Sequence, residues 1–404
     1  MNPIIRLPLF AALCATTVLA HTAAQPSAAS PETRPPNAAF KPAVAGQTRA
    51  PALRTAAELD VVSIVKGLQQ PWSFELLPDG RYLIAERPGR LRIAAADGTL
   101  GEPLDGIPAV AFDGQGGLLD VALDPQFAMN HRIFWTFAEP RDGGNGTSLA
   151  SAVLVEDAGN AKLDDVRVLF RQMPTLQSRL HFGSRIVFTA DGQQLYLTLG
   201  ERGVPEGRVQ AQDLGSHFGK VLRLNLDGAP AAGNPFAGRA GAKPEIWSYG
   251  HRNIQAAALD PRGRLWTIEH GPRGGDELNR PEAGKNYGWP IIGYGIDYPG
   301  TKMHDASARE GLEQPVYYWD PVIAPSGMVF HSGAGAAEWQ GDIFVGGLGS
   351  AKLVRLKLDG DRVIGEEWLL ADRGLRVRDV KEAPGGALLV LAENGELLKV
   401  TPKS

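Results

Sequence analysis

The chain has 404 residues, a net charge of −4 and a pI near 6.1, with 43% hydrophobic and 21% charged residues, 49 Gly and 30 Pro. That balance leaves no basic footprint for nucleic acid or an acidic membrane, and both partners are excluded. The length would permit several domains, but the Gly and Pro load, with few long stretches of helical period, predicts many short strands joined by turns.

Residues 1–24 read as a secretory signal: a short leader with Arg6, an apolar run over residues 7–20, then the small residues Thr22, Ala23 and Ala24. The run is shorter than the roughly 20 residues of a membrane span, so a periplasmic or secreted chain with no span is expected. The one cysteine, Cys14, lies inside this signal, which leaves the mature chain no disulfide. Bulky Leu13 before it argues against a lipid anchor. Residues 25–57 are Ala, Pro, Ser and Thr with scattered charge, a composition that predicts a disordered tether. Residues 58–404 are expected to form one domain.

A unit recurs through that domain: a turn with Asp, Pro or Gly, a strand, then an acidic or Gly-rich break. LLPDGRYLIAERPGRLRI, VALDPQFAMNHRIFWTFAE, FTADGQQLYLTLGERG, LDPRGRLWTIEHG, WQGDIFVGGLGSAKLVRLKLDG and EAPGGALLVLAENGELLKV are its six copies. Their spacing is that of propeller blades with loop insertions, and the strand pairs within them are expected to be each blade's inner hairpin. The prediction is an all-β, six-bladed β-propeller, with a strand over residues 60–66 closing the ring beside the C-terminal ELLKV. A β-sandwich is the alternative, but a sandwich has no reason to repeat one turn-strand unit six times. Propeller sites lie at the channel mouth, on loops from several blades.

Polar groups beside glycines mark that mouth. Gln115 sits in the DGQGG turn, His181 opens the strand of HFGSRIVF, and Glu201 ends the next strand, LYLTLGERG. A histidine with a carboxylate in reach is an oriented general base; the competing reading of His181 is a turn histidine. His131, His217, His304 and His331 have no such company. EIWSY and RLWTIEHG are strands whose ends carry Arg252, Asn253, the carbonyls of Gly271 and Pro272, and the carboxylates of Asp276 and Glu277. Hard oxygen donors favour calcium, and a guanidinium beside them suits a polyanionic ligand that bridges both, against a plain polar loop. In GLRVRDV, Arg376 and Arg378 alternate with Leu375 and Val377, so two cations share one face and need an anion unless the strand is a solvated edge.

The motifs GQGGLLDVALDP, HFGSRIVF, GHRNIQ, EHGPRGGDELN with NYGWP, IAPSGM and RVRDV stand in an order that resembles the soluble, pyrroloquinoline-quinone-dependent sugar dehydrogenases, most closely the periplasmic aldose sugar dehydrogenase branch. The resemblance runs from about residue 68 to residue 400. It implies that His181 takes the proton of the anomeric hydroxyl while hydride passes from sugar C1 to the quinone, with Glu201 as partner of that base. Arg252 would stabilise the negative oxygen of the quinone, Asn253 and Gln115 would help hold it, and its carboxylates would account for Arg376 and Arg378. Gly271 and Pro272 would bind the catalytic calcium, and Glu277 and Tyr287 a second, structural calcium. An aldose and an external electron acceptor are the implied partners. The chain departs from the family at Gly349, where glucose dehydrogenases carry a cofactor-touching lysine and Lys352 is displaced, and in the short VPEGRVQ loop, which lacks an aromatic sugar clamp. Two other readings compete: a calcium-dependent lactonase propeller, which has no use for the Arg pair, and a non-catalytic sugar- or protein-binding propeller, which the absent lysine would favour.

Overall fold

The computed structural model describes residues 29–157 and 160–403, so the expected signal over residues 1–24, with Cys14, lies outside the described residues. Among the described residues, twenty-four strands make six four-stranded antiparallel sheets. After β1 (Leu59–Val65), the first blade is β2 (Pro71–Leu76), β3 (Tyr82–Glu86), β4 (Arg90–Ala94) and β5 (Leu100–Pro103). The second is β6 (Leu118–Leu123), β7 (Arg132–Arg141), β8 (Gly144–Asp157) and β9 (Asn160–Arg171), and the third β10 (Gly183–Phe188), β11 (Gln194–Leu199), β12 (Lys220–Asn225) and β13 (Ile246–Tyr249). The fourth is β14 (Ile254–Leu259), β15 (Leu265–Glu269), β16 (Asp276–Asn279) and β17 (Tyr317–Trp319); the fifth is β18 (Pro325–Phe330), β19 (Ile343–Gly347), β20 (Lys352–Asp359) and β21 (Arg362–Leu369). The sixth, β22 (Val377–Glu382), β23 (Leu388–Ala392) and β24 (Glu396–Pro402), is completed by β1, which pairs with β24 from Leu59↔Pro402 to Val65↔Leu397. The chain is a six-bladed β-propeller closed as expected.

The first strands β2, β6, β10, β14, β18 and β22 touch one another in a ring, so they are the innermost. The repeated turn therefore joins the innermost strand to the second, with its glycines Gly80 and Gly263 at φ 88° and 75°. The strand pair that follows is each blade's middle hairpin, not its inner one. The repeat shows in sequence because it marks a turn, whereas the inner strand before it has no punctuation.

Apolar residues fill the gaps between neighbouring blades. Leu83 and Leu91 of the first pack on Trp135 and Phe137 of the second, and Trp266 and Ile268 of the fourth on Met328 and Val345 of the fifth. This layered burial fixes the ring.

Residues 29–57 are not a free tether where described. The amides of Asn37 and Ala38 donate to the Asp320 carboxylate at 2.8 and 2.9 Å, Gln47 Nε2 to the Pro315 carbonyl at 2.7 Å, and Leu53 N to the Glu366 carbonyl at 2.8 Å. Thr55 Oγ1 donates to Glu367 at 2.7 Å. The segment straps the outer strands of the fourth and fifth blades. Composition could not show this, because most of the order comes from hydrogen-bonding partners on the propeller, with Ala50 the strap's apolar residue that joins the core.

All six innermost strands share a register shift at the mouth end: between Pro71 and Ser73, Leu118 and Val121, Gly183 and Ile186, Ile254 and Ala256, Pro325 and Met328, and Val377 and Asp379. Bulges bend a strand and re-aim side chains. Trp72, Leu119, Gln255 and Arg378 lie within these shifts and line one cavity.

Candidate active site

That cavity has a volume of about 330 Å³, within the range of small-molecule pockets. Trp72, Phe182 and Leu348 supply apolar walls, and Gln115, Asn253 and Gln255 supply amides. Arg87, Arg376 and Arg378 face Glu393, three guanidiniums to one carboxylate. The donor set suits a flat ligand with several negative charges.

Arg376 and Arg378 do share a face, with Arg376 just ahead of β22, but they are not waiting for an anion alone. Arg376 Nε donates to Glu393 Oε2 at 2.6 Å and Arg378 Nη2 pairs with Glu393 Oε1. Glu393 lies in the β23–β24 turn, a position that strand alternation could not place. Gly349 lines the cavity and offers it no charge, while Lys352 sits 3.1 Å over the Trp368 ring. Arg87, unnoticed in sequence, brings a further cation to the same space.

His181 and Glu201 meet as expected, Nδ1 to Oε2 at 2.9 Å, both buried. Local sterics explain the pairing. His181 adopts φ 47°, its amide donates to Gln115 Oε1 at 2.8 Å, and Gly200 lies so close that a Cβ there would sit 2.2 Å from the His181 carbonyl oxygen. The Gly203 amide donates to the same Glu201 oxygen that faces the imidazole. Glu201 therefore accepts from both, which places the imidazole proton on Nδ1 and leaves Nε2 without a hydrogen-bond partner among the described residues. Burial lowers the His181 pKa, and the nearby positive charge of Arg252 lowers it further against the opposing pull of Glu201. For Glu201 burial pushes upward, but the imidazole and Arg252 outweigh it and the carboxyl lies below its ordinary value. A neutral imidazole beside a carboxylate is a base in its working state.

Arg252 and Asn253 sit in the crossover from β13 to β14. Arg252 Nη1 donates to the carbonyls of His270 and Gly271 at 3.0 and 2.9 Å, and its guanidinium lies 5.2 Å from the Trp289 ring. Asn253 Oδ1 accepts from Gly183 N at 3.1 Å, tying this crossover to the His181 strand. The Gly271 carbonyl thus already faces a cationic group, as a calcium ligand would. Asp276 is different: Oδ1 accepts from Gly271 N and Oδ2 from Ile323 N and Ala324 N, all at 2.8 Å. It staples the loop rather than offering oxygens to a metal, and burial pushes its carboxyl up to about 7.

Arg252, Gly271 and Pro272 also line a crevice of about 10 Å³ with Glu277 and Tyr287, room for one ion or water. Burial, then the charge of neighbouring Glu269, raises the Glu277 pKa well above its usual range, a penalty that a cation would relieve. The Tyr287 hydroxyl is engaged with the main chain, donating to Arg280 O at 2.7 Å and accepting from Glu282 N at 3.0 Å. Its phenol is no metal donor, so Glu277 is the side-chain oxygen that fits.

His270 was missed in sequence although it directly precedes the noted Gly271 and Pro272. It borders both cavity and crevice, and Nε2 bonds the Pro325 carbonyl at 2.6 Å; burial lowers its pKa to about 3, so it is a neutral donor. His217 does have acidic company, Glu245 at 2.6 Å from Nε2, but Nδ1 accepts from Met173 N and neither nitrogen is free. His251 is likewise held, between Glu269 and Ser248 at 2.9 Å each.

Three comparisons bear on this geometry. A family model described as glucose/sorbosone dehydrogenase matches residues 68–399. Aldose sugar dehydrogenase YliI of Escherichia coli strain K12 is 43% identical over 355 residues, which is 86% of this chain and 94% of that protein. Two solved structures are similar. The soluble aldose sugar dehydrogenase from Escherichia coli in the apo form has TM-score 0.81 at 43% identity, over 86% of this chain and 100% of the other. The PQQ-bound form of aldose sugar dehydrogenase from Streptomyces coelicolor has TM-score 0.70 at 29% identity, over 87% and 100%.

Proposed function

The chain belongs to the glucose/sorbosone dehydrogenase family and is a sugar dehydrogenase, and we propose that it oxidises the C1 hydroxyl of aldoses to lactones with pyrroloquinoline quinone and calcium, outside the cytoplasm after removal of a signal. The observation that carries the proposal is the cationic, apolar-walled cavity beside a neutral, carboxylate-oriented histidine.

The quinone, when bound, supplies the two-electron acceptor for the hydrogen on sugar C1. The chain supplies the rest. His181 Nε2 accepts the hydroxyl proton, and Glu201 stabilises the imidazolium that results. Arg376 and Arg378, joined by Arg87, hold the carboxylates of the cofactor, with Gln115 and Asn253 beside them. Arg252 sets a positive charge where negative charge develops on a carbonyl oxygen. Gly271 and Pro272 would offer main-chain oxygens to the catalytic calcium, and Glu277 would hold a second ion in the crevice. Calcium bound there would supply Lewis-acid polarisation and orientation of the cofactor, while the proton transfer falls to His181 and Glu201.

The lactonase reading leaves the Arg87, Arg376 and Arg378 cluster without a task. The binding-propeller reading rested on the absent lysine, and Arg87 restores a third cation to the cavity. The test is reconstitution: purified apoprotein with calcium and pyrroloquinoline quinone, assayed for dye reduction with a panel of aldoses. Activity that needs both additions supports the proposal. Tight quinone binding without dye reduction by any aldose would favour the binding propeller, and lactone hydrolysis without quinone the hydrolase.

A further inference from the structure

Next to the catalytic pair lies a buried cation with no salt-bridge partner among the described residues. Arg202 is 0% exposed and, among the described residues, its guanidinium bonds only neutral oxygens. Nη1 donates to the carbonyls of Leu180 at 2.9 Å and His181 at 3.4 Å, and Nη2 to the carbonyl of Ser178 at 2.8 Å and to Asn145 Oδ1. Its own amide donates to the His181 carbonyl at 3.3 Å, and its carbonyl accepts from Ser178 Oγ. The guanidinium carbon lies 3.7 Å from the Phe182 ring centroid. Residues 178–182 are therefore wrapped around one buried side chain.

Burying a charge among neutral acceptors is unfavourable, so the arrangement calls for a local gain. His181 and Arg202 both adopt left-handed backbone conformations, φ 47° and 74°, which L-residues avoid unless their surroundings impose them. The carbonyls that Arg202 gathers are those of the bend that delivers the imidazole to Glu201. A planar fork with five donors can hold several carbonyls in different directions, and a lysine could not hold them in the same geometry.

We propose that Arg202 is the positioning residue of the catalytic base: its guanidinium clamps the Ser178, Leu180 and His181 carbonyls and so holds the imidazole against Glu201. The inference rests on the reading of His181 as the base. The same charge also disfavours the imidazolium, which adds to the lowering by burial and Arg252. Arg202 is fully buried and does not line the cavity.

The experiment compares Arg202→Met, Arg202→Lys and Asn145→Ala in the full chain, with His181→Ala alongside. Quinone affinity is read by absorbance titration, kcat and KM by varying the aldose at saturating quinone, and the His181 ring titration by NMR on the apoprotein. For Arg202→Met we expect quinone affinity within about threefold of wild type and a kcat loss on the order of 10²-fold with a smaller change in KM, as misplacement of a reacting group gives. The His181 titration and the acid limb should move to higher pH. Arg202→Lys should keep the titration near wild type yet lose kcat, because it restores charge without the fork. Asn145→Ala, at a half-buried site that should not threaten folding, should show the kcat loss in milder form with the titration unmoved.

Arg202→Lys or Arg202→Met with wild-type kcat overturns the clamp. If neither Arg202 variant folds, wild-type kcat in Asn145→Ala overturns it instead. Loss of quinone affinity in step with kcat would show a general structural role and also refute it. Should His181→Ala retain turnover, the base assignment fails whatever the Arg202 variants do, so the two failures are distinguishable.

Discussion

Replacing Glu201 by Gln asks what the carboxylate contributes beyond orientation. An amide in this place could face the imidazole with either end, and the wrong end would put the proton on Nε2 and remove the base. In a comparable hydrolase arrangement that error is worth about 10⁴-fold. Here the Gly203 amide donates to the same oxygen that faces Nδ1, while the other oxygen, Oε1, is buried with no partner. The amide oxygen should therefore take the Oε2 position, and the tautomer should survive. What is lost is charge alone. Hydrogen bonds to charged groups are worth about 1.5–3 kcal/mol against about 0.5–1.5 for neutral ones, a difference of about 1–2 kcal/mol, or roughly 5- to 30-fold in rate. The acid limb of kcat/KM should also move to lower pH, because Glu201 raises the imidazole pKa that burial and Arg252 lower. The assay is dye reduction against pH at saturating quinone, with quinone affinity measured separately. A loss near 10⁴-fold, or an acid limb that moves upward, would refute the tautomer argument.

His181→Ala should remove turnover, a loss of about 10²- to 10⁴-fold for a general base, while quinone titration shows near wild-type binding. In wild type the base is needed neutral, so activity should fall only as pH drops through a value below the ordinary 6.5, seen as the acid limb of kcat/KM. Arg376→Ala with Arg378→Ala should weaken quinone binding by roughly 10²-fold or more, since each charged hydrogen bond is worth about 1.5–3 kcal/mol; unchanged affinity would move the cofactor elsewhere. Glu393→Gln should tighten quinone binding at low ionic strength, because it removes the carboxylate that competes for both guanidiniums. A chelator should lower Tm and calcium restore it, a stabilisation of about 2.7 kcal/mol at a hundredfold excess over Kd, with Glu277→Gln abolishing the restored part in a thermal melt.

The propeller was legible because its repeat is written in turn chemistry, and the His181–Glu201 pair because adjacent strand ends must meet. Gln115 and Asn253, read in sequence as turn residues beside strand ends, both line the cavity. Register is another matter. The bulge at the mouth of every innermost strand leaves no trace in a period of two, yet it decides that Gln255 and Arg378 line the cavity. Partners distant in sequence were equally hidden: Glu393 under the two arginines, Asp276 turned to three amides, and the strap from Asn37 to Thr55 held by Asp320, Glu366 and Glu367. Arg202 follows a noted glutamate and looked like an ordinary charge until its burial was seen. In each case the residue type was visible and its partner was not.

The most direct measurement is anaerobic rapid mixing of quinone- and calcium-loaded protein with an aldose, following the absorbance of the oxidised quinone in wild type and His181→Ala at equal occupancy. Prompt bleaching is expected in wild type, and bleaching slowed by at least about 10²-fold in His181→Ala. Wild-type bleaching by the alanine variant, or none in wild type with any aldose, would contradict the proposed mechanism.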